Sequence, residues 1–289
     1  MNFNNICNFK CRMCGPHFSN AWVPDYKKLL DKNDLSVPKK SLPPKQQVDV
    51  DKFFNEYGEK LSQLRQIWIT GGEPFIDDSI YDFFNQLEKY ADVSNIKVVI
   101  NTNASKVDIN KLPNLLKVKH LLLNISVDST GKLYTYMRGY NFTFDQLDKK
   151  IRQLSNLKSH YSNFEISVNG AFQIYNILDI ENFFTWGVDV TDNSHGTLIE
   201  HRVLGGPQWL RARNAPNNIK EKSKKLIKKL IKQYPDNGYL EDCLKELNCL
   251  AVDKDIDMFL KWNQKLDQIR DASFSDIFPE LLQGYKSNG

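Results

Sequence analysis

"RQIWITGGEPFIDDSIYDFFNQLEKYADVSNIKVVINTNAS", residues 65–105, contains a complete strand–helix–strand unit. Residues 65–70 form a short apolar run stopped by Gly71 and Gly72. Residues 79–91 carry Ile80, Phe83, Phe84 and Leu87 at the three- and four-residue spacing of one helix face. Residues 96–105 return to a β-branched run that ends in "NTNAS". Two strands joined through a helix lie parallel, with a right-handed crossover.

The alternation continues on both sides. Upstream, residues 2–6 read as the end of a strand and 48–64 as a helix with Phe53, Phe54, Tyr57, Leu61 and Leu64 in register. Between them, 22–47 is rich in Pro and Lys and reads as a long loop with one helical turn. Downstream, 118–128 and 164–175 are strands, and 109–117, 144–157 and 177–187 are helices, the last closed by Gly187. Residues 188–191 and 197–204 are the final strand candidates. About six strand units are complete by residue 205, whereas a closed eight-unit barrel takes ~250 residues. The expected fold is therefore α/β, a partial (β/α)6 barrel over 1–205 with a C-terminal α-helical extension over 206–289. That extension begins after "GGPQWLRARNAP" (205–216) and has helical stretches at 218–234, 239–251 and 255–271. In such sheets chemistry gathers at the C-terminal ends of the strands.

Composition narrows the class. Hydrophobic residues make up 41% and charged residues 26%, enough to build a core. The net charge of +4 is mild, and a general nucleic-acid binder concentrates far more basic charge, so nucleic acid is not the expected partner. No apolar run approaches the ~20 residues of a membrane-spanning helix, and no leader-like run precedes Cys7. The expected setting is the reducing cytoplasm, without a membrane partner. There the 5 cysteines read as thiols or metal ligands rather than disulfides.

Three of those cysteines, Cys7, Cys11 and Cys14, fall within "CNFKCRMCGP" (7–16) with spacing C-x3-C-x2-C. Four soft ligands close a structural zinc site, while three leave a position open. An iron–sulfur cluster held by three thiolates keeps one iron free for an outside ligand. Unliganded buried thiols, or a zinc site completed by His17, are the alternative readings.

This cysteine pattern after a first strand, with "GGEP" (71–74) after a second, resembles the radical S-adenosylmethionine (radical SAM) superfamily over residues 1 to about 205. The strings "CNFKCRMCGPHFSNAW" and "FLKWNQKLDQIRDASFSDIFPEL" (259–281) resemble its twitch/SPASM-linked members of phage and environmental sequences. The resemblance implies a [4Fe–4S] cluster on Cys7, Cys11 and Cys14, with SAM (S-adenosyl-L-methionine) chelating the fourth iron. It implies reductive cleavage of SAM to a 5′-deoxyadenosyl radical that takes hydrogen from an unactivated carbon. It further implies a reductant such as flavodoxin or ferredoxin, and a substrate that is a peptide, a protein or a small metabolite. Members often carry a cysteine-bearing segment ahead of the first strand. Here only six residues precede Cys7, which implies a fragment or an internal start. The alternative is therefore a cluster- or metal-binding protein without turnover.

The resemblance also implies roles for SAM-binding residues. Gly71, Gly72, Glu73 and Pro74 form the turn that hydrogen-bonds the SAM amino group. Met13 stands where members commonly place an aromatic residue near the adenine. Ser126 and Asp128 suit a ribose and Arg138 the methionine carboxylate, although turn and capping roles explain the same residues. Asn169 alternates with Glu165 and Ser167 on the fifth strand and is a cavity candidate. Cys243 and Cys249 read as core thiols rather than ligands of a second cluster. The Lys-rich helix over 220–233 packs an apolar stripe, or docks an acidic peptide or carrier protein. Trp209, Arg211 and Arg213 stand where they could cap the cavity.

Overall fold

The computed structural model describes residues 1–31, 42–139 and 141–287. Five strands form one all-parallel sheet in chain order: β1 (Gln66–Ile69), β2 (Lys97–Thr102), β3 (His120–Ser126), β4 (Phe164–Phe172) and β5 (Ile199–Val203). Simple chain order with helical crossovers is the topology of an open half-barrel. Alternation along the strands separates two faces. Val98, Ile100, Leu121, Leu123, Ile125, Ile166 and Val168 are fully buried on the convex side. The other face carries Trp68, Asn101, Asn124, Asn169 and Glu200 around a cavity.

Eleven helices are described: α1 (Val23–Asp31), α2 (Val50–Tyr57), α3 (Ser79–Leu87), α4 (Gly131–Arg138), α5 (Phe144–Ser155), α6 (Ile180–Thr191), α7 (Asn217–Gln233), α8 (Gly238–Asn248), α9 (Asp253–Arg270), α10 (Phe274–Ile277) and α11 (Pro279–Ser287). The periodic apolar residues of α3 and α5 are buried as the sequence predicts, among them Ile80, Phe83, Leu147, Ile151 and Leu154. Helix α5 starts at a capping box in which Thr143 and Gln146 satisfy each other's backbone N–H. The C-terminal helices continue the same body, with α8 on β5, α7 on α6 and α9 against α1. Among the described residues no helix is long and apolar enough to cross a membrane.

Four local expectations are corrected. Residues 2–6 form no strand of their own. They touch β1 through a single parallel bridge between Asn2 and Thr70, where the Phe3 N–H donates to the Thr70 carbonyl at 2.7 Å. The segment is pulled aside because Asn4 pairs antiparallel with Gln47. Residues 188–191 are the last turn of α6, not a strand. Gly187 lies inside that helix because it lets helix and sheet close together: a Cβ there would stand 3.1 Å from the Ile199 and Val168 side chains. The helix ends instead at Asp192, in the left-handed region at φ 52°. Within 22–47, nine residues form α1, anchored by buried Leu29, while 32–41 lie outside the described residues. The 109–117 stretch shortens to one 3-10 turn, Leu112–Leu115, because Pro113 supplies no N–H to extend it.

Candidate functional site

A cavity of about 450 Å³ opens at the C-terminal ends of the strands. The loop after the N-terminal segment contributes Cys7, Cys11, Met13 and Cys14, and the turn after β1 contributes Gly71 and Gly72. Ser126, Asp128, Arg138 and Asn169 complete the sequence-derived residues that line it. Glu73 and Pro74 do not line it.

Several bonds shape the cysteine loop. The Cys7 N–H donates to Asn20 Oδ1 at 3.0 Å, and the Phe9 N–H to Cys7 Sγ at 3.3 Å. The Cys14 N–H donates to the Cys11 carbonyl at 2.9 Å, and Trp22 Nε1 donates to the same carbonyl at 2.8 Å. The loop sits directly on the glycine turn, with the Gly72 N–H reaching the Asn4 carbonyl at 2.7 Å and the Glu73 N–H the Ile6 carbonyl at 2.8 Å. A Cβ on Gly72 would lie 2.3 Å from the Ile6 oxygen, and one on Gly71 2.5 Å from the Asn4 oxygen. Gly71 also has φ 146°, a backbone setting that glycine adopts without strain. Both glycines are therefore required by backbone packing beneath the cysteines.

Glu73 is a brace rather than an open ligand. Its carboxylate is fully buried and accepts from Thr102 Oγ1 at 2.6 Å, Asn103 N at 2.7 Å and Phe75 N at 3.1 Å. Burial pushes its pKa up against those three donors. The brace locks the glycine turn to the end of β2, where Asn103 Nδ2 lies 3.8 Å from Cys7 Sγ. Asp128 is similarly committed to protein partners. It has a left-handed φ of 69°, accepts from Ala171 N at 2.7 Å, and is ion-paired with buried Arg138. Thr130, not Ser126 or Asp128, stands at the N-cap position of α4, and its hydroxyl donates to Asp179 rather than capping the helix.

The thiols differ in acidity. Burial raises Cys7 to about 12. A hydrogen bond from Cys14 brings Cys11 down to about 7, with help from the Arg138 charge, and Cys14 itself is raised. Among the described residues no three His, Cys, Asp or Glu side chains meet as a preformed site for a single metal ion. Cysteine thiolates are the ligands by which a protein would hold an iron–sulfur cluster. The donor set fits such a group: three soft thiols share one cavity wall, and Arg138 Nε is a buried donor with no acceptor.

Of the opposite wall, sequence reasoning found Asn169 and its neighbour Ser167 but missed Trp68, Asn101, Asn124, Glu200 and Arg202. Trp68 Nε1 donates to Asn101 Oδ1 at 3.3 Å, and Asn124 Nδ2 donates to the same oxygen at 3.2 Å. Asn124 Oδ1 accepts from Ser167 Oγ at 2.9 Å and Asn169 Nδ2 at 2.8 Å. These bonds make a polar ladder across four strands, with Asn101, Asn124 and Ser167 in register. Glu200 and Arg202, paired at 2.8 Å, extend the wall on β5. The period-two rule applied to β2, β3 and β5 would have found them. Arg211 and Arg213 do not cap the cavity. Both clamp buried Glu246 on α8, at 2.6 and 2.8 Å. Cys243 is buried and donates to the His201 carbonyl, while Cys249 is half-buried.

The Radical SAM superfamily matches residues 1–170 of the chain. Among solved structures, anSMEcpe with bound AdoMet gives a TM-score of 0.53 at 13% identity, covering 80% of this chain and 59% of that one. SuiB of Streptococcus suis bound to S-adenosylmethionine gives 0.50 at 13%, covering 80% and 46%. The anSMEcpe structure with AdoMet and Kp18Cys peptide gives 0.50 at 11%, covering 81% and 60%. This chain thus spans only 46–60% of those chains' length, and at such identities the likeness is one of fold. No curated protein matches the chain.

Proposed function

Because the chain belongs to the radical SAM superfamily, whose cofactors are SAM and a [4Fe–4S] cluster, we propose that Cys7, Cys11 and Cys14 hold the cluster and that the adjoining cavity holds SAM. The observation that carries this reading is the convergence of all three thiols and the glycine turn on one cavity at the strand ends. When bound, the two cofactors supply reductive SAM cleavage and hydrogen abstraction from a substrate carbon. The chain's own part is to bind, orient and shield. Gly71 and Gly72 present backbone next to the thiols. Arg138, held by Asp128 and with Nε unpartnered, offers a donor to an anionic group such as the methionine carboxylate. Met13 packs at the adenine side. Ser126 and Asn169 offer polar contacts to the rest of SAM.

The substrate side is the polar ladder and the Glu200–Arg202 pair. A peptide is the favoured substrate class, since a neighbour of the same fold was solved with a peptide and the ladder offers amides that match a peptide backbone. We assign residues 1–205 to the catalytic half-barrel and 206–289 to a helical region of twitch-like character. Electrons come from a small reductant such as flavodoxin or ferredoxin, and the setting is cytoplasmic.

The test is 5′-deoxyadenosine release. Protein reconstituted anaerobically with iron and sulfide, then given SAM and dithionite, is expected to release it, and Cys11→Ala is expected to abolish both the release and the cluster absorbance. Equal release by wild type and Cys11→Ala would sink the ligand assignment. A cluster without release would favour binding without turnover.

A further inference from the structure

The residue that follows the second cysteine is as informative as the cysteines. Arg12 is fully buried. Its backbone N–H donates to the Met137 carbonyl at 2.7 Å and its Nε to the Tyr136 carbonyl at 3.0 Å. Its guanidinium lies 3.5 Å from the centre of the Tyr136 ring. The compensating charge comes from the far end of the chain: Asp267 on α9 pairs with Arg12 Nη2. Asp267 Oδ1 also accepts from Tyr136 Oη at 3.0 Å, and Oδ2 accepts from Phe274 N at 2.6 Å. A carboxylate with this many donors is rigidly placed, and it holds Arg12 in turn.

Two further ties run from the same helix to the same loop. Arg270 Nε donates to Asp25 at 2.8 Å, and Asp25 accepts from Lys10 at 3.2 Å. Trp262 stacks on Trp22 with centroids 5.8 Å apart, and Trp22 bonds the Cys11 carbonyl. Lys10, Cys11 and Arg12, three consecutive residues of the loop, are therefore each fastened to α9.

We propose that Asp267 is a positioning residue for the cofactor: by neutralising Arg12 it fixes the Cys11–Cys14 segment, so α9 builds part of the cluster site. This rests on the reading that the three cysteines are the cluster ligands. Removing the Asp267 charge leaves an uncompensated buried cation on the segment that carries Cys11 and Cys14. Such a charge stabilises the more negative, reduced cluster, and it also drives the loop toward water.

The experiment compares wild type, Asp267→Asn and Glu246→Gln in the 289-residue chain after anaerobic reconstitution. Glu246→Gln breaks the other carboxylate clamp of the helical region, away from the loop. The readouts are iron retained against a chelator, the midpoint potential from an EPR-monitored titration, and the melting temperature. Asp267→Asn is expected to hold its cluster about tenfold less tightly, as for loss of a partner behind a metal ligand, with the midpoint potential shifted positive. Glu246→Gln is expected to lower the melting temperature but to keep wild-type cluster retention and potential. Wild-type retention and potential in Asp267→Asn would overturn the proposal, as would an equal change in Glu246→Gln. If Asp267→Asn is insoluble, Asp267→Glu keeps the charge and displaces it by one methylene. It is expected to shift the reduced-cluster EPR signal, and an unchanged signal overturns the proposal. A wild-type chain that takes up no iron and sulfide overturns the ligand reading, and this proposal with it.

Discussion

Gly72 is the residue on which the site geometry turns, because no side chain fits between it and the Ile6 carbonyl 2.3 Å from its would-be Cβ. The clash is with backbone, which cannot rotate away as a side chain can. Gly72→Ala should therefore cost about 1–3 kcal/mol in urea unfolding and lower the iron bound per chain, because the cysteine loop must lift. Asp128 makes a different case. Asp128→Asn tolerates the left-handed backbone but strips the buried Arg138 of its counter-charge. A loss of about 3 kcal/mol is expected, with weaker SAM binding by calorimetry. The sequence made the cysteines and Gly-Gly legible because their spacing is local. It could not show that Glu73 and Asp128 spend their oxygens on protein donors, since Thr102, Asn103 and Ala171 lie 29 to 43 residues away in the chain.

Helix α6 shows where local rules fail at the scale of an element. Gly187 reads as a helix stop, and the β-branched residues after it read as a strand. Tertiary packing overrides both, because fully buried Val168 and Ile199 leave room for no Cβ at 187. Alanine gains up to about 1 kcal/mol of helix propensity over glycine. Against two fully buried β-branched neighbours, Gly187→Ala should still lower stability by about 1–2 kcal/mol in thermal or urea unfolding. Unchanged or raised stability would show that the helix can shift on the sheet. The polar ladder was hidden for a related reason. Asn101 and Asn124 carry no local signal of their own, and only the register of β2, β3 and β4 brings them into one row with Ser167.

At the scale of the whole molecule, the half-barrel and the helical region are stitched through buried charges, and the half-barrel itself encloses a buried histidine. His201 is fully buried among Phe172, Phe183 and Phe184, and neither ring nitrogen has a partner. Burial lowers its pKa from 6.5 to about 3. Its contribution to stability is thus complete above pH 6.5 and is lost as pH falls toward 3, because the unfolded chain takes the proton first. The slope approaches about 1.4 kcal/mol per pH unit, so unfolding at pH 5 should be roughly 2 kcal/mol easier than at pH 7 from this group alone. His201→Phe should flatten that part of the profile. The same slope in both proteins would assign the acid sensitivity elsewhere.

The Arg12–Asp267 pair closes a separation of 255 residues. A ribosome adds about 5–20 residues per second, so the cysteine loop waits roughly 13–50 s after its own synthesis before its partner helix exists. During that interval Arg12 has no buried counter-charge to fold against and the loop has no fixed shape. The thiols are then open to oxidants and to stray metal ions. The loop thus reaches its final shape only after Asp267 has been made.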